Sequence, residues 1–380
     1  MSADRLFLTY APPPGAAGAT LPPWIQALVT EGDRLVRAAE PEVGGPAPAA
    51  PVDPVPPAAG DISDPLPETT GAVLLCNPVF GPELIALVRA ARARGVPVTG
   101  LWESSDFDLS LWGDGPLRGH PLAGQDDMLI HIRTLARALA LCDRALITGP
   151  GMGGRLARRL PGLVQQPLPF AAPGPLRRPP AKAGPPCAAF LASTPALRTA
   201  LLPHLDLLLA ALASADAELR VCADTILPPE AKDHPRIHRL PAAPGPAGAM
   251  AFYRGADLAL FPPIGGGYWQ REQQADPVLA ALCAGVACWG TLPEQLLVDP
   301  PRGARLSSAP PDWTELPPES LGASLASAMA PLPRLTLLDH LQRWRWQRRH
   351  DPRRVARALR AMVLGPVLAE IPGHAQESRR

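Results

Sequence analysis

The chain has 380 residues, a length that suits two α/β domains better than one, because domains cluster at roughly 100 to 200 residues. Hydrophobic residues make up 47% of the sequence and charged residues 19%, a composition that excludes a disordered chain. The formal net charge of +1 excludes a global electrostatic preference for nucleic acid or for acidic substrates, so any such preference must come from a local cluster.

The cysteines and histidines show no pattern of a disulfide framework or of a metal site. The six cysteines form no CxxC pair and lie mostly in apolar runs, so we expect reduced core residues. Four histidines outside the motifs discussed below have no i,i+4 partner and no cysteine at metal spacing, and no metal is therefore expected. These histidines are His120, His131, His204 and His340.

The start of the chain has no apolar run of the length that a secretion signal needs. No window approaches the 18 or so uncharged apolar residues that a membrane-spanning helix requires. The expected location is the cytoplasm.

Strands and helices are predicted to alternate through the first part of the chain. Residues 5–10 alternate like a strand, and residues 24–39 have helical spacing. Residues 40–69 are rich in Pro and Ala and cannot fill a core, so they are expected to form an inserted surface loop. The remaining predicted strands are 71–76, 96–102, 144–148 and 163–170, and the predicted helices are 82–94, 126–141 and 153–160. A repeated strand–helix unit of this length indicates parallel pairing.

The same alternation begins again after a Pro-rich break. Strands are predicted at 187–192, 219–222, 236–240, 258–261 and 286–289, and helices at 195–213, 247–255, 276–284 and 321–329. The expected organisation is a Rossmann-like domain over residues 1–172, a linker over 173–186, a second Rossmann-like domain over 187–340, and a basic C-terminal helix and tail over 341–380. Two such domains leave a cleft between them.

Four stretches of sequence carry a resemblance to a known family. Residues 234–240 (HPRIHRL) are similar to a strand that precedes a nucleotide base, and residues 250–262 end in Ala-Asp-Leu-Ala-Leu-Phe-Pro. Residues 272–286 match an E-x7-E segment at Glu272 and Pro277, with Ala280 in place of the second Glu, and residues 141–148 are similar to a strand of the first domain. Together these stretches resemble the retaining GT-B glycosyltransferases, which transfer sugars from nucleotide sugars.

The resemblance implies a fold and an activity. The implied fold is α/β, with two Rossmann-like domains in the GT-B architecture and a C-terminal crossover helix. The implied activity is hexosyl transfer from a nucleotide sugar, bound by the second domain, to an acceptor bound by the first. No metal cofactor is implied. The family has a basic residue after the position of Ser193, and Arg198 is the candidate for it here.

The donor side of the cleft has three further candidates. Negative charge develops on the departing diphosphate, which needs cations or backbone N–H groups around it. Gly265, Gly266 and Gly267 follow the predicted strand 258–261, at the sheet edge where ligands bind, although a flexible turn is the alternative. Glu272 is the candidate catalytic residue that contacts the donor sugar, or else a solvated acid, and Pro277 opens the following helix.

The acceptor side has candidates in two predicted loops. Gly15 and Gly18 resemble the glycine-rich loop that in this family approaches donor or acceptor, and a plain turn is the alternative. Glu103 and Asp106 leave the end of a predicted strand where the family often places an acid or a histidine, and otherwise lie in a solvated loop. The glycine-rich run at residues 149–155 lacks the Gly-Lys-Ser/Thr ending of a nucleoside-triphosphate loop.

One strongly basic segment lies near the end of the chain. It surrounds Trp344 and Trp346 and is opposed by Asp351, and it contains Arg343, Arg345, Arg348, Arg349, Arg353, Arg354, Arg357 and Arg360. One interpretation is the helix that in the family braces the first domain, with solvated arginines. The other is a peripheral contact with a membrane surface, which would suit a lipid-linked acceptor. Nucleic acid is not expected, because no recognised binding module is present.

The leading hypothesis is therefore a glycosyltransferase that uses a nucleotide sugar. The alternative from a different class is a catalytically degenerate relative that acts as a binding or scaffold protein, suggested by Ala280 and by the absence of a clear basic pair. A nucleotide-sugar epimerase of the same fold is a third hypothesis, although it would need acidic and histidine residues facing the cleft.

Overall fold

This computed structural model describes residues 5–10, 23–29, 33–37, 66–78, 80–101, 127–177, 184–193, 195–243, 245–264, 276–298, 300–301, 305–308, 313, 316–330 and 336–365. Within these ranges the chain forms two parallel β-sheets, each covered by helices on both faces. The predicted α/β fold with two Rossmann-like units is confirmed.

The first sheet uses strands that come before residue 168. Its strands are β1 (Arg5–Tyr10), β2 (Arg34–Arg37), β3 (Thr70–Cys76), β4 (Val98–Leu101), β5 (Arg144–Ile147) and β6 (Val164–Pro167), and its helices are α1 (Pro23–Leu28), α2 (Pro82–Ala93), α3 (Asp127–Ala140) and α4 (Pro150–Arg159). The described strands lie in the order β2-β1-β3-β4-β5-β6. Parallel sheets are buried on both faces, which explains why Leu74 and Leu75 are both fully buried although they point to opposite sides.

The second sheet uses strands that come after residue 186. Its strands are β7 (Cys187–Phe190), β8 (Glu218–Cys222), β9 (Ile237–Leu240), β10 (Leu258–Phe261), β11 (Ala287–Gly290) and β12 (Leu306–Ser308), and its helices are α5 (Leu205–Ser214), α6 (Pro229–Lys232), α7 (Gly245–Tyr253), α8 (Asp276–Cys283), α9 (Glu294–Val298) and α10 (Pro318–Met329). Their order in the sheet is β12-β11-β10-β7-β8-β9. Two further helices, α11 (Leu337–Arg349) and α12 (Pro352–Leu364), end the described chain.

Each sheet contains a point where the direction of winding reverses. In the first sheet the reversal lies between β1 and β3, and in the second it lies between β7 and β10. At such a point the loops that follow the two strands leave in opposite directions and open a crevice at the carboxyl edge of the sheet. Each sheet therefore offers one ligand crevice by its topology alone.

Three aspartates link neighbouring parallel strands by the same type of hydrogen bond. Asp33, Asp143 and Asp257 each precede a strand, and each carboxylate accepts an N–H group from the first two residues of the strand beside it. The donors are the N–H groups of Leu6 at 2.7 Å, Val98 at 2.7 Å and Cys187 at 2.8 Å. Asp143 and Asp257 belong to two of the stretches that carry the family resemblance, and this contact gives them a structural role.

The predicted helix at residues 24–39 is wrong in its second half. The helix α1 ends at Leu28, and Arg34–Arg37 form the edge strand β2, which pairs in parallel with Phe7–Tyr10 of β1. The local spacing favours a helix, but the free edge of β1 offers backbone partners that a helix there would leave unused. Tertiary pairing therefore decides the structure of this segment.

The predicted helix at residues 195–213 is also shorter than expected. Two 3-10 turns, Pro195–Thr199 and Leu202–His204, precede α5, because Pro203 cannot donate a helical hydrogen bond. The segment Leu197–Ser214 is apolar enough by composition to cross a membrane. In this fold, however, Leu205, Leu208 and Leu212 of α5 fill the core against the second sheet.

The basic C-terminal segment forms two helices rather than one. Pro352 begins α12, and the Asp351 carboxylate caps it by accepting the N–H groups of Arg353 and Arg354 at 3.0 and 3.3 Å. Trp346 of α11 packs into the core of the second sheet, whereas Val355, Ala356, Leu359 and Val363 of α12 pack into the core of the first. The predicted crossover of a C-terminal helix to the first sheet is confirmed, and α12 is that helix.

The joint between α11 and α12 contacts the segment that connects the first sheet to the second. The ring of His350 stacks on Phe170 with centroids 4.2 Å apart, and the Ala172 N–H donates to the His350 carbonyl at 2.9 Å. The Arg343 guanidinium donates to the Arg177 carbonyl at 2.8 Å. The two connections between the sheets therefore form one packed junction.

A buried arginine fastens α12 to the first sheet. The Arg144 side chain has no exposed surface, and its guanidinium donates to Thr99 Oγ1 at 2.8 Å and to the carbonyls of Val363 and Gly365 at 2.7 and 2.8 Å. These carbonyls end α12, where the helix dipole is negative. Burial lowers the pKa of Arg144, but an arginine keeps its charge even so.

We expect the Arg144→Leu variant to lose about 3 kcal/mol of unfolding free energy, because buried carbonyls at the end of α12 lose their charged donor. Arg144→Lys should be intermediate, since an ammonium keeps the charge but not the planar fork. Urea unfolding followed by circular dichroism measures both. Arg158→Leu, at an exposed arginine of α4, is the control and should change little. Equal stability of wild type and Arg144→Leu would show that this contact does not hold α12.

All six cysteines are free and buried, as expected. Burial raises the pKa of the Cys142 thiol to about 12, with Asp143 adding to the effect. Burial likewise raises the pKa of Cys283 to about 11, although the thiol donates to the Gly174 carbonyl at 3.0 Å. These thiols are therefore protonated at neutral pH.

We expect the folded protein to resist iodoacetamide at neutral pH, because the thiolate is the reactive form, and to react fully once unfolded. Since the folded pKa values lie above the ordinary value of 9.0, the stability that the protonated thiols contribute is complete below pH 9 and falls as pH rises beyond it. Mass spectrometry of the alkylated chain and unfolding curves across that range test both expectations. Rapid alkylation of the native protein would contradict the buried assignment.

Candidate functional site

The crevice of the second sheet lies where β7 and β10 end. These strands are direct neighbours, with Ala188 and Ala189 paired to Leu258 and Ala259. After β7 the chain runs through Leu191 into the 3-10 turn that carries Arg198, and after β10 it runs through Pro262, Pro263 and Ile264. Gly265, Gly266 and Gly267 come next in the sequence. The turn that carries Arg198 and the turn at residues 262–264 therefore follow neighbouring strands at the same edge of the sheet.

A buried histidine supports the turn that follows β10. The His204 ring lies in the core, and its Nε2 is 3.4 Å from the Pro263 carbonyl oxygen. The ring packs on Trp313 with centroids 5.3 Å apart, and Trp313 packs on Trp289 at 4.6 Å. No local feature of the sequence signals this contact, because the partner of His204 lies 59 residues away. The turn after β10 is thus supported by a layer of packed aromatic rings.

Arg198 keeps its guanidinium in solvent. Its side chain is exposed, and its backbone carbonyl accepts the Ile226 N–H at 2.8 Å, which holds the turn against the segment after β8. An exposed, charged side chain at the mouth of the crevice is able to reach an anionic ligand. Its role in donor binding stays a prediction.

The helix α8 presents its apolar side to the core along almost its whole length. Pro277 is half-buried in the first turn, and the residues from Val278 to Cys283 are buried. Ala280, at the position that matches the family's second acid, has no exposed surface. A glutamate there would bury a charge among apolar side chains.

The two sheets meet through a carboxylate that lies beyond the end of β11. Glu294 opens α9, and its Oε2 accepts the Gly151 N–H at 3.3 Å. Gly151 lies in the first turn of α4, directly beyond the end of β5 in the first sheet. Since both groups follow the carboxyl ends of their strands, the carboxyl edges of the two sheets face each other. The sequence analysis did not single out Glu294.

This contact and its surroundings explain the glycine-rich run at residues 149–155. A Cβ at Gly149 would lie 2.8 Å from Glu294 Oε2, and a Cβ at Gly153 would lie 2.8 Å from Gln165 Oε1. Gly149 precedes α4 in extended conformation and has no side chain to cap the helix, so the Glu294 carboxylate serves its N-terminus instead. Close packing accounts for these two glycines.

Several predicted site residues lie outside the described residues. They are Glu272, Glu103, Asp106, Gly265, Gly266, Gly267, Gly15 and Gly18, and their roles stay predictions. Within the described part of the chain, no group of three or more His, Cys, Asp or Glu side chains is placed to hold a metal ion.

The chain was compared with known proteins by sequence and by structure. No protein-family model matches it, and no curated protein matches it by sequence.

Several solved structures are similar to this chain at low identity. They include a sucrose-phosphate synthase from Thermosynechococcus elongatus, with 13% identity, a TM-score of 0.47, and coverage of 77% of this chain and 73% of that one. They also include the glycotransferase of kitacinnamycin, with 14% identity, a TM-score of 0.46, and coverage of 94% and 99%. A third is an α,α-trehalose-phosphate synthase (UDP-forming) from Burkholderia xenovorans in complex with glucose-6-phosphate, with 11% identity, a TM-score of 0.44, and coverage of 77% and 72%. Similarity at this level says nothing about substrate or catalytic residues.

We expect Glu294→Ala to lower the unfolding free energy by about 1 kcal/mol, because the N-terminus of α4 loses its carboxylate. The variant should also open the cleft, which small-angle X-ray scattering would record as a larger radius of gyration. The matched control is Glu319→Ala, which removes an exposed acid from the first turn of another helix, α10, without touching the first sheet. If both variants scatter like the wild type, the Glu294 contact does not set the separation of the sheets.

Proposed function

We propose that this protein is a glycosyltransferase that binds a nucleotide-sugar donor at the carboxyl edge of the second sheet and an acceptor at the facing edge of the first. The observation that carries this proposal is the Glu294–Gly151 contact, which brings two ligand crevices to opposite sides of one cleft. A transfer between two bound substrates needs this arrangement, because both reacting groups must be held together away from water.

The donor half of the proposal assigns a role to each candidate residue. The backbone N–H groups of Gly265, Gly266 and Gly267 would receive the diphosphate, and Arg198 would neutralise part of its charge. Glu272 would contact the sugar as it gains oxocarbenium character, and Pro277 would fix the start of α8. The rigid aromatic layer beneath Pro263 supports this assignment, because it gives the turn before the glycine loop a fixed base.

The acceptor half rests on loops of the first sheet. The strands β1 and β4 end at the edge of the first sheet that faces the second, and in the sequence Gly15 and Gly18 follow β1 while Glu103 and Asp106 follow β4. A carboxylate at that edge could remove the proton from an acceptor hydroxyl as the new bond forms. An acceptor carried on a lipid would suit the basic C-terminal helices.

A second candidate function is a noncatalytic binding or scaffold protein of the same fold. The observation that favours it is the complete burial of Ala280, which leaves the ribose without the acid that the resemblance would supply. Such a protein would keep the cleft and bind a nucleotide or a partner without transfer.

We expect nucleoside diphosphates or nucleotide sugars to raise the thermal unfolding midpoint of the purified protein in a base-selective manner. A ligand at 100 times its dissociation constant should add about 2.7 kcal/mol of stability. The variants Gly266→Val and Arg198→Gln should reduce the shift, because they block the loop and remove the cation. Gly154→Val is the control, since nothing lies within 4 Å of a Cβ placed there.

Two outcomes separate the candidate functions. A base-selective shift combined with release of the nucleoside diphosphate from a nucleotide sugar supports the enzyme, and Glu272→Ala should then abolish release while keeping the shift. A shift without any release, across a panel of sugars and acceptors, would support the noncatalytic protein. No shift with any ligand would contradict a donor site in the second sheet.

A further inference from the structure

The helix α11 exposes apolar side chains in an unusual concentration. Among the described residues, eight large hydrophobic side chains are exposed, and four of them lie in the first eight residues of this helix. They are Leu337, Leu338, Leu341 and Trp344, and Leu337 retains 87% of its full exposure. Single exposed apolar residues are ordinary, but a contiguous group on one helix marks an interaction surface.

The exposed residues form one ridge on the side of α11 that faces away from the protein. Leu337, Leu341 and Trp344 are spaced at i, i+4 and i+7, so they lie above one another, and Leu338 lies beside them. The buried residue of this helix, Trp346, lies on the opposite side and packs in the core of the second sheet. We call Leu337, Leu338, Leu341 and Trp344 the α11 ridge.

Positive charge borders the ridge. Arg345 and Arg348 are exposed, and the Arg348 guanidinium lies over the Trp344 ring, 5.1 Å from its centroid. Asp339 is the acid of this helix, and it is committed to a capping box with Thr336, in which each side chain accepts the other's backbone N–H. The capping box fixes the first turn, so the ridge is formed before any partner arrives.

Three of the other arginines of the basic segment have contacts of their own. Arg360 pairs with Asp33, Arg343 donates to the Arg177 carbonyl, and the Arg357 Nε donates to the Arg353 carbonyl. The helix α12, which carries Arg353 to Arg360, buries its apolar side against the first sheet and presents no apolar ridge. The α11 ridge and the exposed Arg345 and Arg348 therefore lie together on one helix.

We infer that the α11 ridge binds the surface of a lipid bilayer that contains anionic lipids. Leucines and a tryptophan enter the boundary between headgroups and acyl chains, and the arginines beside them attract anionic headgroups. A bilayer with anionic lipids has an apolar layer beneath a negatively charged surface. The apolar layer matches the ridge, and the charged surface matches its arginines. The stacked side chains of Arg348 and Trp344 suit that boundary, because an indole ring and a guanidinium group each have an apolar face and a polar edge.

The first test is co-sedimentation of the full chain with vesicles of phosphatidylcholine, with and without phosphatidylglycerol. We expect binding to the anionic vesicles that weakens as salt is added. Leu341→Glu should lower the affinity at least about tenfold, because it replaces an inserted leucine by a charge. Leu240→Glu is the matched control: Leu240 and Leu341 are both 41% exposed, and Leu240 lies on the edge strand β9. The control should bind like the wild type.

The second test separates the ridge from the basic segment as a whole. Arg345→Gln with Arg348→Gln should weaken binding about fivefold for each arginine, whereas Arg353→Gln with Arg354→Gln, an equal loss of charge on α12, should have little effect. Equal losses from both pairs would assign the binding to general charge and overturn the ridge.

Self-association is the competing outcome. If the wild type sediments as a dimer in the analytical ultracentrifuge, Leu341→Glu is a monomer, and neither binds vesicles, the ridge joins two copies of this chain and the inference is wrong. None of these measurements depends on sugar transfer, so failure here leaves the proposed donor site standing, and failure of the donor site leaves the ridge standing.

Discussion

The buried guanidinium of Arg144 is the constraint on which the arrangement of the two halves depends. It connects a central part of the first sheet to the last turn of α12, and so holds the end of the chain against the domain where the chain begins. A charge with no exposed surface is costly unless it is hydrogen-bonded, and here a threonine hydroxyl and two helix-terminal carbonyls accept from the guanidinium. Moving α12 away would leave the buried Arg144 guanidinium without these acceptors, so its burial favours this one position of the helix.

Because α12 packs on the first sheet and α11 on the second, the joint between them at His350 links the two halves. The outgoing connection passes the same point, where Phe170 stacks on His350 and Ala172 donates to its carbonyl. Both connections between the sheets therefore meet at this junction, whereas Glu294 and Gly151 join the carboxyl edges of the two sheets.

The cleft and the α11 ridge are separate features of the molecule. The aromatic layer under Pro263 gives the second sheet a stiff crevice, while the ridge is held rigid by a capping box and by Trp346 in the core. A bilayer bound at α11 would contact the helix that leads into the junction at His350.

The sequence by itself determined the alternation of strands and helices, the parallel sheets, the break between the halves and the buried state of the cysteines, because apolar periodicity and proline placement are local properties. It also marked Asp143 and Asp257 as part of a signature, but not their contacts with Val98 and Cys187. Only the tertiary structure decided that Arg34–Arg37 would be a strand, that Glu294 would meet Gly151, and that Ala280 would face the core. Each of these depends on a partner far away in the chain, and long-range partners leave no period in the sequence.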